Sequence, residues 1–318
     1  MKGLLFREPG VITLTDLGAP VAGDGEVLVQ VKAAGICGSD LHGVVDGMYP
    51  HPAVLGHEFA GVAEDGARVA INPQVPCRSC ASCTRGATNL CIDNSIIGIT
   101  RAGGVADTVA VPRDRLVPIP DSASFTAGAM AEVVANGVHA LARGGGARGK
   151  TLGIIGAGPI GLSALLCARE QGATTIVVTD LSEHRQAVAT RLGADAVASS
   201  LDAGAFDLVI DAVGAASTRT ASMTALRPGG TAVWIGVNDP AATLAASMEV
   251  VVSERSIVGS FAYTDAEFAH AVAICARHDF DWVSTYPLGE AEAVFADLQS
   301  GRSSIVKAHF STEGQVYQ

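Results

Sequence analysis

The chain has 318 residues, of which 48% are hydrophobic and 17% charged, and its formal net charge is −11 with an isoelectric point near 5.1. This length is sufficient for two domains, since single hydrophobic cores stop growing at roughly 250–300 residues. The acidic balance and the lack of Lys/Arg runs argue against nucleic acid or anionic membranes as partners, because phosphate binding needs clustered basic side chains.

The apolar segments show no targeting or membrane-spanning pattern. The apolar run of the first ten residues, MKGLLFREPG, breaks after Phe6, unlike a secretory signal. The stretch LSALLCA at 162–168 is far shorter than the roughly 20 residues needed to span a membrane. We therefore expect a cytoplasmic protein, in which thiols stay reduced.

Short strands punctuated by glycine and proline are predicted for the first part of the chain. The segment EVLVQVKAAGI at 26–36 alternates apolar and polar side chains as a half-buried strand does. GARVAINP at 66–73 indicates another strand. Many short strands with turn residues between them predict an antiparallel, barrel-like domain.

Four cysteines follow, with the spacing Cys77-x₂-Cys80-x₂-Cys83-x₇-Cys91. A disulfide framework is disfavoured in a reducing compartment. Four thiolates on a short loop can close a tetrahedron around zinc, and such a site is structural because no position is left for a substrate. A ferredoxin-type iron–sulfur cluster is the rival interpretation, since two-residue gaps recur there too.

From about residue 150 the pattern changes to alternating strands and helices. TLGIIGA at 151–157 is an almost continuous apolar run, typical of a strand covered on both faces. The next segment, 159–172, has helical apolar spacing. The following predicted elements are a strand at 175–180, a helix at 182–194, strands at 196–199, 206–214, 230–237 and 256–261, and a helix at 265–278. The alternation predicts a doubly wound parallel sheet, after which the C-terminal segment returns to the first domain.

A dinucleotide fingerprint, Gly156-x-Gly158-x-x-Gly161, lies between the first of these strands and its helix. Gly156 permits the tight turn, Gly158 lets a pyrophosphate approach, and Gly161 allows close helix–strand packing. Asp180 stands 24 residues beyond Gly156, where a carboxylate holds the adenosine ribose hydroxyls and repels a 2′-phosphate. NAD is therefore favoured over NADP; the alternative is a glycine turn followed by a helix-capping aspartate.

Two glycine-flanked segments, GICGSDLHG at 35–43 and LGHEFAG at 55–61, carry candidate metal ligands. The Cys37 thiolate and the His57 imidazole suit zinc, and a carboxylate such as Glu58 or Glu132 can complete the tetrahedron. Taken singly, a core cysteine and a structural histidine are equally good interpretations.

Together these motifs resemble the zinc-dependent medium-chain alcohol and polyol dehydrogenase family, and in particular its sorbitol dehydrogenase-like branch. The shared segments occur in the family's order over essentially the whole chain: CGSDLHG, GHEFAG, the four cysteines, AEVVANGVHA, GIIGAGPIGL and DLSEHR. The resemblance implies a GroES-like antiparallel β-barrel catalytic domain at 1–133 and 263–318, with a zinc lobe at 77–91. It implies a Rossmann NAD-binding domain at 134–262.

The resemblance also implies two zinc ions per chain, one structural at the four cysteines and one catalytic. Cys37 and His57 would bind the catalytic zinc, with Asp40 orienting the histidine. Glu132 stands where ethanol-oxidising members have a cysteine and the polyol branch has a glutamate. Whether Glu58 or Glu132 touches the zinc at rest stays open. An iron–sulfur cluster is disfavoured by the family pattern.

Other roles follow from family position. Ser39 and His42 would relay the substrate proton through the cofactor ribose, although a turn serine and an exposed histidine are the simpler interpretations. Tyr49 is expected in the substrate pocket and His51 at the surface. Lys307 is expected either to approach the cofactor phosphates or to lie in solvent. The residues expected to bind the cofactor are Gly156, Gly158, Pro159, Ile160, Gly161, Asp180 and Arg185.

One segment, 61–77, is shorter than in typical relatives, although its DGARVA end survives. We expect the strand that leads to the lobe to be intact, and no ligand to be lost.

The predicted function is hydride transfer between NAD and a secondary alcohol, which becomes a ketone. Zinc lowers the pKa of a bound water or alcohol from about 16 to near 7. Polyols, sugar alcohols, cyclitols and vicinal diols are the candidate substrates, and simple alkanols are disfavoured by Glu132. The other hypotheses are a non-catalytic metal or nucleotide sensor and a zinc-free reductase of activated double bonds. The resemblance implies a homodimer or homotetramer.

Overall fold

The computed structural model describes residues 1–243 and 247–312. Contacts divide the chain into two compact units. The first unit comprises Met1–Glu132 and the described part of Thr264–Gln318, and the second comprises Val133–Tyr263.

The strands of the described residues are short, as glycine and proline punctuation predicts. They are β1 (Lys2–Glu8), β2 (Val11–Asp16), β3 (Glu26–Gly35), β4 (Ala53–Val54), β5 (Glu58–Ala63), β6 (Arg68–Ile71), β7 (Gln74–Val75), β8 (Ser95–Ile96), β9 (Thr108–Pro112), β10 (Leu116–Pro118), β11 (Thr151–Ile155), β12 (Thr175–Thr179), β13 (Ala196–Ala198), β14 (Phe206–Asp211), β15 (Leu226–Trp234), β16 (Ser256–Gly259), β17 (Val283–Pro287) and β18 (Lys307–Ser311).

The α-helices of the described residues lie mainly in the second half of the chain. They are α1 (Gly38–Val45), α2 (Ala81–Thr84), α3 (Phe125–Arg143), α4 (Pro159–Gln171), α5 (Glu183–Arg191), α6 (Ala216–Thr224), α7 (Ser247–Val252), α8 (Asp265–Cys275) and α9 (Ala291–Gln299). Over the described ranges, none of them combines the length and apolarity that crossing a bilayer requires.

The first unit is built on a seven-stranded sheet in the order β10-β6-β5-β3-β18-β17, with β9 also paired to β3. Its pairs are antiparallel except for β17 and β18, which run parallel. A parallel pair needs a crossover connection, and α9 provides it. Apolar side chains such as Leu4, Phe59 and Phe310 fill a core with at most 1% exposure. This is the GroES-like β fold that the sequence predicts.

The last described strand, β18, lies inside this sheet between β3 and the edge strand β17. Strand β18 pairs antiparallel with β3, with His309 opposite Gly35 and Phe310 opposite Ala34. On its other side, β3 pairs with β5, which sets Gly35 opposite Glu58. The C-terminal segment therefore returns to the first domain, and it places side chains of β18 beside the segments that carry the candidate metal ligands.

In the shortened segment, a four-residue turn joins β5 to β6. The Ala63 N–H donates to the Ala67 carbonyl over 2.9 Å, and Gly66 has a φ of +87°. Strand β6 is formed and pairs with both β5 and β10. The strand that leads to the cysteine lobe is thus intact.

The second unit contains a six-stranded parallel sheet in the order β13-β12-β11-β14-β15-β16. Counted within the unit, this is the 3-2-1-4-5-6 order of the Rossmann fold, in which ligands bind outside the carboxyl ends of the strands where the order reverses. Apolar side chains cover both faces of β11 and β14, including the fully buried Leu152, Ile154 and Val209. The predicted doubly wound sheet is confirmed.

Candidate active site and zinc centres

The first candidate ligand, Cys37, lies where β3 ends and α1 begins. It occupies the N-cap position of α1 in extended conformation. Its backbone N–H donates to Asp40 Oδ2 over 2.9 Å, closing the first turn of the helix. The thiol therefore lies at the N-terminal end of α1.

The His57 ring lies between two side chains of α1. Its Nδ1 lies 3.3 Å from Asp40 Oδ1, and its Nε2 lies 3.5 Å from Ser39 Oγ. Burial alone would lower the pKa of His57, but the fully buried Asp40 and the neighbouring Cys37 raise this pKa well above its usual value. Asp40 thus orients the imidazole so that Nε2 can face a metal, as second-layer carboxylates do.

Glu58 completes a group of three donors. The Cys37 Sγ, a ring nitrogen of His57 and a carboxylate oxygen of Glu58 all lie within 4.8 Å of one another. Donors bound to one tetrahedral zinc at 2.0–2.3 Å lie roughly 3.3–3.8 Å apart, so small shifts suffice to enclose the ion. A thiolate, an imidazole and a carboxylate with one open position form a donor set suited to catalytic zinc.

The second carboxylate considered from the sequence, Glu132, lies at the end of the first unit's N-terminal segment. Among the described residues it is not part of the group of three. It is close enough to the Lys307 ammonium to raise the pKa of that group. Its role as a zinc ligand stays a prediction.

The expectation that Lys307 lies in solvent is wrong, since its side chain is 2% exposed within the first unit. An approach to the cofactor phosphates stays a prediction. The Nζ donates to the Ile36 carbonyl over 2.8 Å and forms an ion pair with the Glu58 carboxylate. Burial opposes the charge, yet Glu58 and Cys37 raise the pKa of Lys307 above its usual value. Pairing of β18 with β3 is the reason for this position.

A second β18 side chain, His309, was not singled out from the sequence. It is fully buried, and neither ring nitrogen has a hydrogen-bond partner among the described residues. The ring lies against Gly35, where a Cβ would come within 3.1 Å of His309 Nε2 and overlap Glu58 Oε2. Burial, aided by the nearby Lys307 cation, lowers the pKa of His309 to about 3. The imidazole is therefore neutral.

Tyr49 is buried beside α1, as a pocket residue would be. Its ring packs on Gly43, where a Cβ would lie 2.5 Å from the ring. Burial, followed by the charge of Asp40, raises the pKa of Tyr49. The phenol stays neutral and can donate a hydrogen bond. His42 and His51 are both exposed, and His42 lies three residues from Ser39, hence on the same side of α1.

The four lobe cysteines come together as one group. Their sulfur atoms lie within 4.8 Å of one another, and Cys80 Sγ lies 3.9 Å from Cys91 Sγ. Two sulfurs on one tetrahedral zinc lie about 3.8 Å apart, which matches this spacing and not a disulfide. All four are free thiols.

Backbone and charge effects within the lobe favour a cation. N–H groups of Ser79 and Cys80 point at the Cys77 sulfur and lower the pKa of that thiol to about 6. Burial, together with Cys80 and Cys91, raises the pKa of Cys83 to about 12. Four thiolates therefore cannot coexist there without a positive ion, and zinc supplies one.

Two ion pairs attach the lobe to the rest of the first unit. Arg78, held at a φ of +63°, donates to Asp265 Oδ2 over 2.6 Å and to Asp114 Oδ2 over 3.3 Å. The buried Arg115 donates to Asp265 Oδ1 over 2.9 Å. Asp265, at the first turn of α8, is thus a shared anchor that sequence reasoning missed.

The dinucleotide motif forms the expected strand–turn–helix. Gly156 has a φ of +94°, and a Cβ there would lie 2.7 Å from Val213 Cγ2. A Cβ on Gly161 would overlap the Gly156 carbonyl. At Gly158, the N-cap of α4, a Cβ would meet no described atom within 4 Å, which leaves space for a pyrophosphate. Pro159 follows at the first helical position.

Asp180 follows β12 and holds this turn. Its Oδ2 accepts from the Ala157 N–H over 2.7 Å, and its Oδ1 accepts from the Ser182 N–H over 2.8 Å. A carboxylate has about four acceptor positions, so acceptor sites remain for ribose hydroxyls. Ile160 lies in the first turn of α4 and the half-buried Arg185 lies in α5.

Asp211, which was not among the predicted site residues, holds the loop after β14 beside the glycine turn. The fully buried Asp211, at the end of β14, accepts from the N–H groups of Val213 and Gly214 over 3.0 and 2.9 Å. Its other oxygen pairs with Arg219 over 3.0 Å. The motif FDLVIDAVG predicts the end of a strand. It does not indicate that Asp211 lies close to Gly156, because the two residues are far apart in the sequence.

Both halves of the chain match families of known proteins. Residues 23–121 match the alcohol dehydrogenase GroES-like domain, and residues 159–277 match the zinc-binding dehydrogenase family. D-altritol 5-dehydrogenase of Agrobacterium fabrum is 35% identical over 282 residues, which cover 82% of this chain and 84% of that enzyme. The chain belongs to the zinc-dependent medium-chain alcohol and polyol dehydrogenase family.

Other members of this family are similarly close. L-galactonate-5-dehydrogenase of Escherichia coli is 32% identical over 299 residues, 85% of each protein. The crystal structure of a zinc-binding dehydrogenase from Sinorhizobium meliloti 1021 bound to NADP has a TM-score of 0.92 at 30% identity, covering 98% of each chain. The family predicted from the sequence is confirmed. Membership makes the chain an oxidoreductase of small-molecule alcohols, with zinc and a nicotinamide dinucleotide as cofactors.

Proposed function

We propose that the chain oxidises a secondary hydroxyl of a polyol or sugar acid to a ketone and transfers the hydride to NAD. The observation that carries this proposal is the convergence of Cys37, His57 and Glu58 on one point of the first unit. A zinc-free reductase has no need of this donor set, and a sensor has no need of Ser39 beside it. The relatives named for D-altritol and L-galactonate oxidation support a polyhydroxylated substrate.

In this proposal the first unit holds and activates the substrate hydroxyl. Zinc, when bound, supplies a Lewis acid that makes a coordinated hydroxyl acidic near neutral pH. Cys37, His57 and Glu58 would hold it, and Asp40 fixes the imidazole through Nδ1. Ser39 Oγ, 3.5 Å from His57 Nε2, is placed to take the hydroxyl proton. His42, exposed on the same helix, would pass this proton to water.

Tyr49 supports a polar substrate. Its hydroxyl is buried beside Ser39. A buried hydroxyl can both donate and accept hydrogen bonds, so a ligand hydroxyl next to it is favoured over an alkyl group. A polyol offers such a hydroxyl next to the reacting carbon, whereas a simple alkanol does not.

The choice of NAD rests on Asp180. Its carboxylate is anchored by two backbone N–H groups beside the glycine turn, and a fixed negative charge there repels the 2′-phosphate of NADP. The cofactor would be held by Gly156, Gly158, Pro159, Ile160, Gly161 and Arg185 in addition. We also propose a homo-oligomer and a cytoplasmic location, where the four thiols of the lobe stay reduced for zinc.

The test is a substrate screen with purified protein. Polyols, cyclitols, sugar acids, vicinal diols and simple alkanols are incubated with NAD and NADP in parallel, and cofactor reduction is followed by absorbance. We expect turnover with a polyhydroxylated secondary alcohol and a preference for NAD. Absence of turnover with every secondary alcohol, in protein that contains zinc and binds NADH, would reject an oxidoreductase of this class in favour of a sensor.

The Cys37→Ala variant tests the metal assignment. We expect it to fold, to lose one of two zinc ions, and to lose turnover by about 10³-fold or more, because the activating ion is lost. Cys167→Ala is the matched control, since Cys167 is buried in the second unit and belongs to neither metal group. Its metal content and turnover should equal those of the wild type. Full activity of Cys37→Ala would contradict the assignment.

A further inference from the structure

Lys307 is a buried cation that the proposed reaction does not use. Its side chain is 2% exposed, and that of its partner Glu58 is 1% exposed. Removing two charges from water costs several kcal/mol per ion, and a buried pair seldom repays this as stability. A structural need alone therefore explains the pair poorly, whereas its position against a candidate metal ligand suggests a role toward the metal.

The hydrogen bonds fix this cation in relation to two candidate ligands. Lys307 Nζ donates to the carbonyl of Ile36, the residue before Cys37, over 2.8 Å. The same ammonium pairs with Glu58 Oε2. Gly35 has no side chain, which leaves room for this oxygen, because a Cβ there would overlap it. Lys307 thus links the segment that carries the thiolate to the carboxylate.

Charge counting shows what the link does. The ligand group and its support contain three anionic side chains, Cys37 as the zinc-bound thiolate, Glu58 and the fully buried Asp40, and Glu132 adds a further negative charge that acts on the Lys307 ammonium. These charges exceed that of a divalent ion, and Lys307 reduces the excess by one. Without Lys307, both carboxylate oxygens of Glu58 and their full negative charge would be available to the zinc ion. This charge would offset more of the positive charge of the ion, so the zinc would attract the oxygen of a substrate hydroxyl less strongly.

We propose that Lys307 is a positioning residue that restrains Glu58 through one oxygen, so that the carboxylate binds zinc weakly and leaves it open and electrophilic for the substrate hydroxyl. This inference rests on the proposed zinc-dependent function. It assigns the residue a place beside the catalytic metal in the first unit. It also accounts for the burial of Lys307, which contradicts the solvent-exposed position considered from the sequence.

The test compares Lys307→Met with the wild type in both metal binding and turnover. Zinc affinity is measured by competition with a chromophoric chelator, and the site is also loaded with Co²⁺ to record its visible d–d absorption. Released from the ammonium, Glu58 should bind the ion more completely. We expect metal affinity at this site to rise about tenfold, the Co²⁺ bands to change, and kcat to fall about tenfold, the scale typical of residues behind metal ligands.

The direction of the affinity change separates this role from a structural one. A residue that only packs the site would, when removed, weaken metal binding or leave it unchanged. Arg115→Met is the matched control, because Arg115 is another basic residue of the first unit with a 4% exposed side chain, paired with Asp265. We expect it to lower the melting temperature without changing the Co²⁺ bands.

Two further variants keep the test decisive. Lys307→Arg retains the charge and should keep the wild-type Co²⁺ bands. In a Lys307→Met/Glu58→Gln double variant, the gain in metal affinity should vanish, because the effect passes through the Glu58 charge. If Lys307→Met does not fold, Lys307→Gln keeps a donor for the Ile36 carbonyl and should show the same direction of change.

Unchanged or weaker metal affinity in folded Lys307→Met and Lys307→Gln would overturn the proposal. Failure of the proposed function itself would look different. The wild-type protein would then bind no metal at Cys37, which the same titration shows before any variant is compared.

Discussion

At the scale of single residues, the first unit carries a fully buried histidine, His309, whose ring nitrogens have no hydrogen-bond partner among the described residues. An unsatisfied buried polar group costs about 1–3 kcal/mol. The groups that face it are Lys307, whose charge lowers its pKa, and Glu58, whose charge opposes that shift. The histidine is therefore costly to the fold, and most of all in acid.

We predict that His309→Leu stabilises the zinc-loaded protein and reduces its sensitivity to acid. The pKa of His309 is about 3 in the folded protein, against about 6.5 when unfolded. Between these values the unfolded chain binds the extra proton, so the wild type loses up to about 1.4 kcal/mol per pH unit as pH falls below 6.5. Above pH 6.5 this loss is absent.

Denaturant unfolding between pH 7.5 and 5 measures this effect. The free energy of unfolding of His309→Leu should exceed that of the wild type by about 1–3 kcal/mol at pH 7.5, and the difference should widen towards pH 5. His184→Leu, an exposed site on α5, is the control and should follow the wild-type profile. Parallel profiles for His309→Leu and the wild type would show that the buried ring does not control acid stability.

Sequence reasoning at this scale found the residues whose chemistry is local. Cys37, Asp40 and His57 stand in short motifs, and the fold keeps these motifs close together. The burial of Lys307 and the presence of His309 near the candidate ligands were not predicted, because the surroundings of both residues depend on which strand pairs with β18. That pairing spans more than 270 residues of the chain, and a single sequence carries no local signal of it.

At the scale of elements, the cysteine lobe has few means of holding itself together. Helix α2 has four residues, none of them buried, and the short ladder β7–β8 consists of two residue pairs. Structural zinc sites stabilise such peptides by about 10–16 kcal/mol. The lobe therefore depends on its four thiolates and on the Arg78–Asp265 ion pair for its order.

We predict that Cys80→Ser lowers stability first and activity only as a consequence. Cys80 caps α2 and approaches Cys91 to 3.9 Å, so a serine there opens the tetrahedron. Metal analysis should fall from two zinc ions per chain to one, and the melting temperature should drop. Thr84→Ala, at an exposed position in the same helix, should change neither. Lost turnover with intact stability and metal content would contradict a structural role.

The types of the secondary-structure elements were predicted more accurately than the residues at which they begin and end. Buried strands such as β11 and β12 were predicted correctly, because apolar runs between helices are distinctive. Strand β15 begins at Leu226, before the predicted 230, because a register shift opposite Phe206–Leu208 accommodates the Pro–Gly–Gly segment. The parallel pairing of β17 and β18 was not anticipated, since it depends on the α9 crossover.

At the scale of the whole molecule, the two kinds of candidate site are assigned to different units. Both zinc groups, Cys37–His57–Glu58 and the four-cysteine lobe, lie in the first unit, and the glycine turn 156–161 lies in the second. The first unit is assembled from both ends of the chain. Metal removal and cofactor binding should therefore act on different sets of backbone amides.

Hydrogen exchange with mass spectrometry tests this division. NADH should protect amides of the second unit most, at the glycine turn, the start of α4 and the segment after β12, because pyrophosphate and ribose bind there. A chelator should instead increase exchange in the lobe 77–91 and in α1, where the thiolates lose their cation. The exchange of apo, zinc-loaded and NADH-bound protein is compared peptide by peptide.

The helix α6 (Ala216–Thr224) serves as the internal control for the chelator, since it belongs to the second unit and no candidate metal ligand lies in it. Chelator-induced exchange in α6 as large as in the lobe would show that zinc supports the entire chain rather than the unit that binds it.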